Sequence, residues 1–277
     1  MTLAEDRVTF SIDGAASGPP NEESPIPEWQ RWNDYGIGLL RAGNVGSNQG
    51  ELRQAAEAFA RVEALGRPDG PLNRACAYLK EGRLTEAVDA LTQAAAFDPP
   101  APAWSVAWFS GLVNKQNGRI EEAIENFLAL VGMDTDETRR RGFDFSLDYR
   151  LLNELGQTLF ERAKLERGTE RKAGREAFLT QAIMWFERTL DIDPENAAAH
   201  YNLALLNAQL GNTEQADKHR DLHSKYKIDD NARDHAITAA RRMSPAANHA
   251  AEAVVIYDLQ REAAYELGKT ERTLGLK

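Results

Sequence analysis

The sequence predicts an all-α fold: a solenoid of about five helical hairpins, closed by a C-terminal capping pair of helices. Three regularities predict it. A small residue on one helix is followed 12 positions later by an alanine on the next, pairing Ala75 with Ala87, Gly111 with Ala123 and Ala204 with Ala216. A glycine stands seven after the first member of each pair, at Gly82, Gly118 and Gly211, where a left-handed residue ends the first helix. A longer side chain stands four after the second member, at Leu91, Phe127 and Arg220, one helical turn further on. Small residues at facing positions let two antiparallel helices approach closely, and hairpins of one stride stack into a superhelix.

Composition sets outer limits on function. A chain of 277 residues with 42% hydrophobic and 27% charged content buries a continuous core as one or two globular units. The formal net charge is -10 and the largest basic cluster is Arg139, Arg140 and Arg141, so nucleic acid is not an expected partner. No apolar run approaches the roughly 18 to 20 residues of a membrane span. Cys76 is the single cysteine, which excludes an internal disulfide and a cysteine-rich metal site. Among Arg74, Ala75, Ala77 and Tyr78 it reads as a small buried hydrophobe.

Residues 1–27 read as an extended or disordered tether. They are rich in glycine and proline, with one alternating stretch from Arg7 to Ile12 that has no independent stability as a lone strand. Residues 28–231 carry the hairpins. The first begins at Trp29–Leu40 and its second helix runs from Glu51 to about Leu65. Gly36 and Ala55 are 19 apart, and the excess contains Gly43, Gly46, Ser47, Asn48 and Gly50, so an extended turn is expected. The second hairpin covers about Pro71–Phe97 and the third Trp104–Val131, both at the standard spacing. Asp98-Pro99 and Asp193-Pro194 stand where a proline stops a helix.

An irregular insert occupies 138–148, with three arginines followed by alternating Phe143, Phe145 and Leu147. Alternation predicts an extended stretch with one apolar face, either packed over neighbouring helices or offered to a partner. The long hairpin 152–192 has Gly156 and Ala182 as its marks, 26 apart. The excess of 14 lengthens each arm by about two turns, with a charged solvated tip over Lys164–Glu176. The fifth hairpin starts at Ala197 and drifts in its second helix. Residues 232–277 read as the helical cap, through Ser244-Pro245 to a last helix ending near Leu267.

The hairpins resemble the tetratricopeptide repeat family over about Trp32–Ile228, which implies protein recognition in a groove lined by the first helix of each repeat. The corresponding positions are Asn33, Leu72, Trp108, Asn153 and Tyr201, then Ile37, Cys76, Leu112, Gln157 and Leu205 one turn on. Some family members clamp carboxyl-terminal peptides with lysine and asparagine. Only Asn202 matches that clamp, and the lining suits an apolar or aromatic segment instead. More loosely, RWNDYGIGLL (Arg31–Leu40), RGFDFSLDYRLLNELGQTLFERA (Arg141–Ala163) and PAANHAAEAVVIYDLQR (Pro245–Arg261) resemble the tetratricopeptide portion of bacterial multihaem cytochrome c proteins. That likeness implies a detached part or subunit of a haem redox system. The chain itself has no Cys-x-x-Cys-His, so it attaches no covalent haem.

His219 and His223 are four apart and on a helix would face one metal, without a third ligand nearby in sequence; ordinary polar exposure is the competing reading. No nucleophile elbow, phosphate-binding loop or zinc-protease signature is present, and GNVGSNQG (Gly43–Gly50) follows no strand. The expectation is a non-catalytic interaction scaffold without a cofactor. It binds a protein segment through Asn33, Leu72, Trp108, Leu112, Asn153, Tyr201, Asn202 and Leu205, or against Phe143 and Phe145. The alternative is a supporting subunit whose partner is a multihaem c-type cytochrome. The amino terminus lacks signal-peptide features, which places the chain in the cytoplasm if Met1 is the native start and in the periplasm or outside the cell if it serves a cytochrome.

Overall fold

Left-handed glycines set the rhythm of this chain. Gly82, Gly118 and Gly211 have φ of 74°, 77° and 82°. After each, the next backbone N–H reaches back to close the helix end: Arg83 to the Tyr78 carbonyl, Arg119 to Asn114, and Asn212 to Asn207, at 2.9 Å each. A residue with a Cβ is strained in that conformation, which is why glycine recurs seven after each first mark.

The computed structural model describes residues 26–43 and 49–227, and Met243. Apart from Ile26, Pro27 and Met243, the tether 1–27 and the cap 232–277 lie outside the described residues, as does most of the long first turn. The described residues form five antiparallel pairs and one short insert helix. The pairs are α1 (Glu28–Ala42) with α2 (Gln49–Ala64), α3 (Asp69–Glu81) with α4 (Leu84–Ala96), and α5 (Ala103–Gln116) with α6 (Ile120–Val131). After α7 (Asp136–Arg141) come α8 (Tyr149–Leu165) with α9 (Lys172–Ile192) and α10 (Ala197–Leu210) with α11 (Thr213–Tyr226). Each hairpin's second helix packs on the first helix of the next. The first helices also touch one another, α1 with α3, α3 with α5 and α8 with α10, whereas successive second helices have no comparable contact. That asymmetry puts the first helices on the inner side of the curve.

Close packing in three hairpins rests on a glycine facing a phenylalanine. A Cβ on Gly36 would lie 2.6 Å from Phe59, on Gly111 2.4 Å from Phe127, and on Gly156 2.9 Å from Phe186. All three rings are fully buried. The core falls into three blocks that share helices. Tyr35, Leu39 and Phe59 anchor the first across α1, α2 and α3. Leu72, Leu91 and Val113 anchor the second across α3, α4 and α5. Phe127, Leu155, Phe186 and Leu203 anchor the third, from α6 to α10. Between α4 and α5 the packing opens into a cavity of about 360 Å³, lined by Leu91, Val106, Val113, Asn114 and Arg119 among others.

Two expectations are corrected. The insert is not extended. Thr135 caps α7 by accepting the Thr138 N–H, Arg139 bridges to Asp134 and Asp136, and Gly142 at φ 68° ends the turn. A 3-10 turn over Phe145–Leu147 follows, its start capped by the Asp144 carboxylate. The solvated tip of the long hairpin is also shorter than Lys164–Glu176. Helix continues to Leu165 and resumes at Lys172, leaving a turn that contains the 3-10 segment Thr169–Arg171. The surplus length goes into the arms, with 17 residues in α8 and 21 in α9 against 13 in α4.

Candidate protein-binding groove

The groove positions expected on the first helices lie beside the Gly–Phe and Ala–Ala contacts. Tyr201 and Leu205, one turn apart on α10, remain 50% and 38% exposed. The Tyr201 ring lies 5.2 Å from His223, which is held by contact of its Nδ1 with the Ala197 carbonyl at 2.9 Å. Next to α10, α8 presents Asn153 and Gln157, both half-buried. Asn153 donates to Asn196 at 3.3 Å, and Asn196 caps α10 through the Ala199 N–H at 3.0 Å. On α5, Trp108 and Leu112 are half-buried against the third core block, the Trp108 ring 5.8 Å from Phe127. These residues, on α5, α8 and α10, combine apolar and amide side chains that are at least partly exposed.

The second hairpin interrupts this surface. Leu72, expected on the groove, is 8% exposed and belongs to the core. Cys76 is likewise buried, its thiol directed at the Leu72 carbonyl and pushed up to about 12 by burial, so it stays protonated and inert. Asn202, the single match to a peptide clamp, is also withdrawn: its amide donates to the Ala198 carbonyl of its own helix at 2.9 Å. Asn33 is half-buried and accepts the Asn73 amide at 2.8 Å, an α1–α3 tie.

Sequence reading missed Lys115. Its ammonium reaches from α5 to Glu154 of α8 at 2.7 Å and to Gln157 at 3.3 Å, which fixes the floor between the third and fourth hairpins. The partners are 39 and 42 residues away, and no local pattern announces them. Arg162 does the same on α6, α8 and the tip, meeting Glu121 at 2.5 Å and Glu166 at 2.7 Å; its hydrogen bond to Glu166 is the chief cause of its raised pKa.

The insert's aromatic rings are spent on one another. Phe143 lies edge-on to Trp104 at 5.7 Å, Phe145 lies 6.5 Å from the same ring, and Arg141 covers Trp104 at 5.4 Å. Phe143 keeps 42% of its surface exposed while Phe145 packs against the core. The two histidines read as a metal pair part company. His219 meets His200, and His223 meets the Ala197 carbonyl. Among the described residues no group of three or more His, Cys, Asp or Glu side chains is placed to hold a metal. Among those residues, no helix is long and apolar enough to cross a membrane.

Two family models described as tetratricopeptide repeat match the chain, one over residues 40–102 and 72–138, the other over 185–218. The unmatched stretch between them is the insert and the lengthened fourth hairpin. No curated protein matches the sequence. Among solved structures, a MamA double mutant from RS-1 is 14% identical over 74% of this chain and 97% of its own, with a TM-score of 0.53. MamA from residue 41 to its end, from Desulfovibrio magneticus RS-1, is 17% identical over 71% and 95%, with a TM-score of 0.50. At these identities the likeness shows the fold alone. The matches give the cytochrome resemblance no support.

Proposed function

We propose that this chain, a tetratricopeptide repeat protein, is a non-catalytic scaffold that holds an apolar or aromatic segment of a protein partner across the inner surface of its third to fifth hairpins. The observation that carries this reading is the pair Tyr201 and Leu205, which stand exposed on a first helix whose Ala199, Leu203, Ala204 and Leu206 are buried. Half-exposed aromatic residues beside fixed amides supply contact area at small entropic cost. Trp108 and Leu112 extend the apolar floor, and Asn153 and Gln157 supply the amides.

Selection of peptides on the purified chain tests the reading. Peptides with an aromatic or aliphatic anchor are expected, and Tyr201→Ala or Leu205→Ala should weaken their binding by about tenfold or more, the loss of roughly 1.4 kcal/mol. Tyr201 is a cleaner probe than Trp108, whose ring also supports Phe127 and whose truncation costs stability. Phe143→Ala is the control, because its ring serves the insert cluster. Binding that ignores both groove substitutions and falls with Phe143→Ala would move the site to the insert. The role of cytochrome support draws on no observation among the described residues.

A further inference from the structure

The last hairpin contains a histidine pair that a purely structural seam does not require. His200 on α10 and His219 on α11 are 3% and 8% exposed, with their Nδ1 atoms 2.9 Å apart. His200 Nε2 lies 3.0 Å from the Pro194 carbonyl, which only accepts, so Nε2 carries a hydrogen. In the neutral ring Nδ1 of His200 is therefore the acceptor, and His219 must donate from Nδ1, leaving its own Nε2 bare. Tyr226 stacks on His200 at 5.6 Å and 20°. The ring pair accepts one further proton, at His219 Nε2, with the hydrogen bond intact. A second proton puts two N–H groups head to head.

We infer that this pair makes the α10–α11 hairpin acid-labile: it is the site at which a proton opens this hairpin while the distant ones hold. The charged and titratable neighbours do not relieve the repulsion. Lys218 on α11 adds to it, and burial first, then His200, then Lys218 hold His219 below the ordinary histidine range. Among the described residues neither imidazole is in an ion pair. Asp217 is taken by Arg220, Asp193 beyond the end of α9 by the Asn196 amide, and His223 by the Ala197 carbonyl. A group whose folded pKa is depressed gives its stability fully above the unfolded value, about 6.5 for histidine, and loses it as the pH falls below that. The unfolded pair takes two protons where the folded pair takes one. For one excluded proton the opening constant rises about 30-fold between pH 7.5 and 5.0. One hairpin of a stack opens without the distant ones because each repeat contacts only its neighbours. The inference is independent of the groove reading, although Tyr201 and Leu205 ride on the same hairpin.

Native-state hydrogen exchange of the full chain at pH 7.5 and 5.0, corrected for intrinsic rates, tests it against His219→Asn. The substituted amide can pair with His200 Nδ1 in either protonation state and carries no charge. Opening of α10–α11 should rise about 30-fold in the native chain and only slightly in the variant, with α5–α6 as an unmoved reference. Equal acid-dependence in both chains would overturn the inference. Imidazole nitrogen shifts of the native chain at pH 7.5 give a second test that needs no variant. His200 protonated at Nε2 and His219 at Nδ1 is expected, and both rings in one tautomer, or two full protonations at pH 5.0 with the hairpin still protected, would sink it.

Discussion

The third and the last hairpins share one ruler and fill it in opposite ways. In the third, Gly111 faces Phe127 and Ala123 is fully buried, so the ring fills the seam, with one hydrogen bond from Asn114 to Asn126 at 2.9 Å beside it. In the last, Ala204 and Ala216 hold the same spacing, but the residue that corresponds to the ring is Arg220, exposed and paired with Asp217. The seam is closed instead by His200 on His219 and by the Asn207–Asn212 hydrogen bond at 3.1 Å. Spacing sets the distance between helices, and the residue four beyond the alanine decides whether the space is filled by carbon or by hydrogen bonds. The difference teaches that one stride accommodates either filling, so a hairpin can be made conditional without changing the spacing of its helices.

The comparison breaks most sharply at the ring itself. Phe127→Ala should cost about 3 to 5 kcal/mol in denaturant unfolding followed by tryptophan fluorescence, whereas Arg220→Ala should stay within about 0.5 kcal/mol. Equal losses would mean that both seams carry the same load. Next in size is Gly111→Ala, which should cost about 1 to 3 kcal/mol because its Cβ would fall 2.4 Å from a buried ring. In a Phe127→Leu background that cost should shrink, and a double-mutant cycle measures the coupling. Smallest, and of opposite sign, is Gly38→Ala. A Cβ there meets nothing within 4 Å, so about 0.5 to 1 kcal/mol of stabilisation is expected in the same unfolding assay. Gly36, two residues earlier and against Phe59, should not tolerate the same change.

Most of the hairpin architecture was legible because its determinants are local: a small residue, an alanine 12 on, and a glycine that only one backbone conformation suits. The insert was misread because alternating Phe143, Phe145 and Leu147 looks like one face of a strand, while the capping pair Thr135 and Thr138, three apart, starts a helix just before it. Exposure was only partly legible. Tyr201 and Leu205 are exposed, whereas Leu72 and Asn202 are buried, since packing in the second core block and a bond to Ala198 are not written in the spacing. His219 was noticed for its neighbour at four residues, yet its partner is His200, 19 residues away across a turn. Polar contacts such as this one are fixed by packing across the turn and are not written in the repeat spacing.

The cavity between α4 and α5 opens inside the second core block, at the joint between the second and third hairpins. A joint with less buried carbon bends before its neighbours do. A change in the curvature offered to a guest would start at this joint, between the front two repeats and the back three.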